Sequence, residues 1–176
     1  MQDGAVIDPH PYPLSPDALG GALRDIVEFV DGGGWGQPPM LFALVPTTTL
    51  IQTHPGLLDA ADESELTPVA EEPLAADITD DGLVEVLATT SWPPMVAGAA
   101  LIREIIVLPP GVDPQAGDGH PESRAARLVV GALRDGPTLA LLHLRPEPGD
   151  AAAGLELRTQ TDLAAELRAA LAHTLD

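Results

Sequence analysis

The chain has 176 residues, 45% of them apolar and 3% aromatic, and its 27 acidic residues against 8 basic ones leave a formal net charge of −19. Such length and apolar content predict one folded domain with a core of Leu, Val, Ile and Ala, while the charge repels phosphate backbones and anionic membranes and excludes both as expected partners. All the basic residues are arginine and there is no cysteine, which removes Schiff-base, phosphate-loop, thiol, thiolate-metal and disulfide chemistry.

Residues 1–14 are punctuated by Pro and Gly without period and read as a flexible N-terminal arm. They hold neither a basic n-region nor an apolar h-region, and no apolar run reaches the ~18 residues of a membrane span, so a cytoplasmic protein is expected. Residues 15–176 form the expected domain. Ser15-Pro16-Asp17 reads as a helix start with a cap and a first-position proline. Leu19, Ala22, Leu23, Ile26, Val27 and Val30 then repeat at the spacing of one helical face, and Gly32-Gly33-Gly34 stops the helix.

Leu41–Val45 has the length and apolar character of a buried strand, and Thr47–Gln52 fits one or two helical turns. From about 59 to 81 the chain is acidic and aperiodic, an expected solvated loop with room for a short edge strand around Leu66–Val69. Asp80 or Asp81 should cap a second helix with Leu83, Val84 and Leu87 on one face, ending at Trp92-Pro93. Val96–Leu108 reads as a long strand closed by Pro109-Pro110. After a Gly/Pro/Asp loop, Arg124–Arg134 and Thr138–Arg145 flank Asp135-Gly136-Pro137 as a hairpin. A final helix carries Leu163, Leu167, Ala170, Leu171 and Thr174, with Thr161 or Asp162 as cap.

One feature occurs twice. Trp35-Gly-Gln-Pro-Pro-Met40 and Trp92-Pro-Pro-Met95 each stand between a helical run and an apolar strand. The prolines forbid further helix and force extended chain, so Trp35 and Trp92 are expected to pack where a helix end meets the sheet, as structural corners or interaction residues. The order helix, strand, helix, three strands, helix predicts an α+β fold: one mainly antiparallel sheet of four or five strands, with helices on one face and part of the other open to a partner.

The segments LRDIVEFVDGGGWGQPPMLFALVP from Leu23, LTPVAEE from Leu66, SWPPMVAGAALIREIIVLPP from Ser91 and HPESRAARLVVGALRDG from His120 resemble an uncharacterised protein family of the actinobacteria. The resemblance spans nearly the whole chain except the N-terminal tail, and it implies no activity. In that family the position of Gly36 is usually acidic, so the resemblance implies no shared chemistry there.

Candidate chemistry is sparse. Ser15, Ser64, Ser91 and Ser123 lie outside any GxSxG elbow, and the glycines at 32–36 follow a helix and miss GxGxxG. His120 and Glu122 with Asp118 and Asp113 offer an imidazole and carboxylates in one loop, which His54 or His143 could join in space, a weak metal candidate, and Asp113–Asp118 misses the calcium-loop pattern. Arg103, Arg127, Arg134 and Arg145 fall on the predicted strands, where they could bind an acidic ligand or pair with the molecule's own carboxylates. The expected function is a non-enzymatic, cofactor-free protein-binding module, adaptor or chaperone-like, whose partner is another protein or a second copy in a homodimer. Its layout resembles small dimeric secretion chaperones. The alternative is an enzyme or small-ligand-binding protein built on the His120 loop and the sheet arginines.

Overall fold

Apolar residues three and four apart form the buried stripe of α1 (Ala18–Asp31): Leu19, Ala22, Leu23, Ile26, Val27 and Val30 are all inside, as their spacing predicts. In the computed structural model, which describes residues 17–53, 65–108, 111, 123–146, 157–159 and 163–176, α1 begins at Ala18 after Asp17. Ser15, Pro16, the predicted arm and the predicted cap at Thr161 or Asp162 lie outside the described residues. Gly32 closes the helix, its N–H bonding the Glu28 carbonyl at 3.3 Å.

Five strands form one antiparallel sheet in the order β2-β1-β3-β4-β5: β1 (Met40–Pro46), β2 (Leu66–Ala70), β3 (Gly98–Val107), β4 (Arg124–Leu133) and β5 (Thr138–Leu144). With α2 (Thr47–Thr53), α3 (Asp80–Ala88) and α4 (Ala165–His173) the fold is α+β, in the predicted order of elements. The hairpin turns at Asp135, whose φ is 53°, and is closed by Leu133 N–H to the Pro137 carbonyl at 3.0 Å. It places β4 inside the sheet and β5 at its edge.

The helices cover both faces of the sheet, not one. Successive side chains of a strand point to opposite faces, and β1, β3 and β4 are apolar at both parities. Phe42, Leu44, Ala100, Ile102 and Val129 meet the stripe of α1. Leu41, Ala43, Val45, Ala99, Leu101, Leu128 and Val130 meet Leu50 of α2, Leu83 and Leu87 of α3 and Leu171 of α4 on the other side. Each such fully buried aliphatic side chain contributes about 1.5–3 kcal/mol, so neither face could stay bare. Gly131 lets α1 settle onto β4: a Cβ there would stand 2.7 Å from Leu23 Cδ2 and 2.9 Å from Leu19 Cδ1.

Two local expectations change. Thr79, not Asp80 or Asp81, caps α3, its Oγ1 accepting from Gly82 N–H at 3.0 Å; the two acids sit in the first turn, where the helix dipole favours negative charge. The helix stops at Ala88, before Trp92. The acidic segment, described from Glu65 onward, contributes β2 as an edge strand.

Both sheet edges are shielded. Thr47 N–H bonds the Glu65 carbonyl and Glu71 N–H the Leu41 carbonyl. By antiparallel alternation the polar groups of residues 66, 68 and 70 therefore face the open side, and Pro68 offers no donor there. On the other edge Leu142 and Arg158 exchange two backbone hydrogen bonds of 2.7 and 3.0 Å. Among the described residues no helix is long and apolar enough to cross a membrane.

Candidate functional site

Strand register aligns Glu104 of β3 with Arg127 of β4, and Arg127 with His143 of β5. The three make one row across the face that carries α1, beneath the turn that leaves this helix. Arg127 is fully buried, its Nη1 donating to Asp31 Oδ1 and its Nη2 to the Gly34 carbonyl. Its guanidinium carbon lies 4.0 Å from the centroid of the Trp35 ring, and that of Arg145 lies 5.5 Å away. Glu104 accepts from Gly36 N–H at 2.8 and 3.0 Å and from Gln37 N–H at 2.8 Å. Gly36, at φ 92°, adopts a backbone that other residues resist.

His143 is buried, its ring 5.7 Å from that of Trp35, and its Nδ1 has no hydrogen-bond partner among the described residues. Burial pushes its pKa below the ordinary histidine value; the Asp31 carboxylate opposes this, and the Arg127 charge adds to it. Glu104 and Arg127 hold the Trp35 turn against the sheet, and both Glu104 oxygens and both Arg127 Nη groups are engaged within the molecule. The row is a clamp.

The second tryptophan corner lies at the opposite end of the sheet, because antiparallel pairing sets Met40 against Ile102 and Leu44 against Gly98, and on the opposite face, where it joins the core under α3 and α4. Trp92 packs on the core beneath α3 and α4, and its Nε1 donates to Thr174 Oγ1 at 2.9 Å. Arg134 ties this corner together by donating to the carbonyls of Val96 and Pro93, both at 3.2 Å, and of Leu175. One sequence signature thus serves two purposes: a cation stack at Trp35 and an apolar lock at Trp92.

Near the start of α3 and α4 an open cleft of about 670 Å3 lies over the ends of β3 and β4. Val84, Ile105, Leu128, Leu163 and Leu167 supply its apolar lining. Arg103 lies in it, four-fifths buried, with Nη1 donating to exposed Asp80 and with Nε unpartnered among the described residues. Asp81 and Glu166 also line it; both are exposed, and neither makes an ion pair among the described residues. Ala164, beside them, has the left-handed backbone of φ 52° and ψ 40°, unusual for a residue with a Cβ.

Of the four strand arginines only Arg127 and Arg145 come together, both over the Trp35 ring. Arg103 and Arg127 lie on opposite faces, Arg134 lies at the far end, and Arg145 sits over Trp35. Arg103 and Arg127 each pair with one of the molecule's own carboxylates, and Arg134 donates only to carbonyls. Asp118, His120 and Glu122 lie outside the described residues, and no group of three His, Asp or Glu side chains placed to hold a metal occurs among the described ones. Sequence reasoning named Glu104 only as the strand neighbour of Arg103 and His143 only as a histidine that could join the His120 loop, whereas the register sets both opposite Arg127; it missed Asp31 as the partner of Arg127, and Asp80, Asp81 and Glu166 around Arg103.

A family model described as PPA1309-like protein matches residues 19–176. No curated protein and no solved structure matches the chain.

Proposed function

The chain belongs to the PPA1309-like protein family, and we propose that it is a non-enzymatic cytoplasmic binding module, an adaptor or chaperone-like protein that holds a protein partner. The observation that carries this reading is the cleft at the start of α3 and α4, which is of ligand-binding size, open, and lined by apolar side chains with charged ones at its margin. The partner proposed is a different protein. The apolar strand faces that a second copy would need are already covered by helices, and the sheet edges are shielded. The alternative reading, an enzyme or small-ligand site on the sheet arginines, draws less support, because Arg127 and Arg134 are spent on internal contacts.

Val84 offers the cleanest test, since it lines the cleft without belonging to the core clusters. Wild-type chain and Val84→Arg, immobilised side by side, would be exposed to native cytosol, with a photo-crosslinker installed next to position 84. A discrete protein crosslinked to wild type and lost in the variant at unchanged melting temperature is the expected result. Equal capture by both, or capture by neither, would remove the cleft from the function.

A further inference from the structure

We propose that the cleft receives a basic amphipathic segment of its partner protein, apolar side chains on Val84, Ile105 and Leu167 and a lysine or arginine between Asp81 and Glu166. This rests on the binding-module reading above and adds the chemistry of the ligand. The charge balance of the lining decides the sign. Asp80, Asp81, Glu104 and Glu166 face one cation, Arg103. Asp80 neutralises that cation, and the Gly36 and Gln37 amides engage Glu104. Asp81 and Glu166 are left as exposed carboxylates beside an apolar surface.

An anionic ligand would meet these two carboxylates and a guanidinium whose charge Asp80 already balances through Nη1, with Nε left to donate. A cationic one meets two acceptors, in a molecule whose net charge of −19 raises its local concentration. The apolar lining requires more than charge: a lone ammonium ion would leave Val84, Ile105 and Leu167 uncovered, whereas an amphipathic segment lays one face on them. Exposed ion pairs are individually weak, so the apolar contacts supply most of the affinity and the carboxylates the selectivity.

The test pans the full chain with a random dodecapeptide display library at about 0.15 M salt, where charges farther apart than about 8 Å are screened. The double variant Asp81→Asn, Glu166→Gln serves as counter-target. Recovered sequences should place Lys or Arg within a helical turn of Leu, Ile or Phe. A synthetic peptide from that set should shift the amide resonances of Val84, Ile105 and Leu167 and bind the double variant about tenfold more weakly, the combined effect of two exposed ion pairs. Peptides rich in acids, or equal binding to both proteins with shifts on those same amides, would overturn the cationic ligand while keeping a protein-binding cleft. Hexylamine binding there as tightly as the best peptide would replace the partner protein with a small molecule. Peptides that leave the three amides unmoved would overturn both readings.

Discussion

The guanidinium of Arg127 stacks 4.0 Å from the ring centroid of Trp35 while wholly shut away from water, whereas its ionic partner Asp31 is 46% exposed. The pair is therefore asymmetric. Deleting the arginine leaves a carboxylate that water can reach; deleting the carboxylate leaves a buried cation. Asp31→Ala should cost about 2–4 kcal/mol, somewhat under the ~3–5 kcal/mol of a fully broken buried pair, because Asp31 is half exposed and the Gly34 carbonyl and Trp35 still hold Arg127. Arg127→Met should cost less. Urea denaturation midpoints check the order, and the reverse order would show that the arginine's packing outweighs its charge.

Stability should fall with acid partly through His143. Its folded pKa lies below the unfolded value because burial disfavours the imidazolium. Below the ordinary histidine pKa of about 6.5 the unfolded chain thus binds more protons than the native one. The contribution is fully present above that pH and is lost progressively as the pH falls toward the folded value. Between about pH 7.5 and 5, His143→Gln should show a shallower loss of unfolding free energy than wild type; parallel curves would mean that the ring titrates alike in both states.

Trp92→Phe should lower the melting temperature by about 2–4 °C, the effect of about 1 kcal/mol in a chain of this size. The ring's packing is largely kept, but Thr174 Oγ1 loses the indole donor. In a Thr174→Val background the same change should have a smaller effect, and calorimetry of the four proteins measures the coupling.

Gly131→Ala should destabilise by about 1–3 kcal/mol, as overpacking does. The added methyl meets Leu19 and Leu23 of α1, so Leu23→Val in the same chain should recover part of the loss. Chemical denaturation of the single and double variants checks this; no loss in the single variant would mean that α1 rides up freely.

Pro68→Val restores a backbone donor on the open side of β2 and should turn a shielded edge into a pairing edge. Sedimentation velocity at rising concentration should show association of the variant beyond that of wild type. Identical behaviour would assign the shielding of this edge to something other than the proline.

Much of the fold was legible because its signals are local. The stripe from Leu19 to Val30, the glycine stop, the apolar strand runs and the turn at Asp135-Gly136-Pro137 each depend on periodicity or backbone restriction within a few residues. The same turn sets the β4–β5 register, so the pairing of Arg127 with His143 could have been counted from it. Glu104 is different: it reaches Arg127 through β3–β4 pairing, whose register no tight turn sets. Nor could local pattern say that helices lie on both faces, since strands apolar at both parities show only that both faces need cover and not what supplies it. The cleft joins the start of α3 to the start of α4, segments far apart in the chain. Local propensity determined the elements of this protein, whereas the burial of Arg127 and the company of Arg103 were decided only when long-range packing brought distant charges together, because an electrostatic partner is a matter of distance in space and not along the chain.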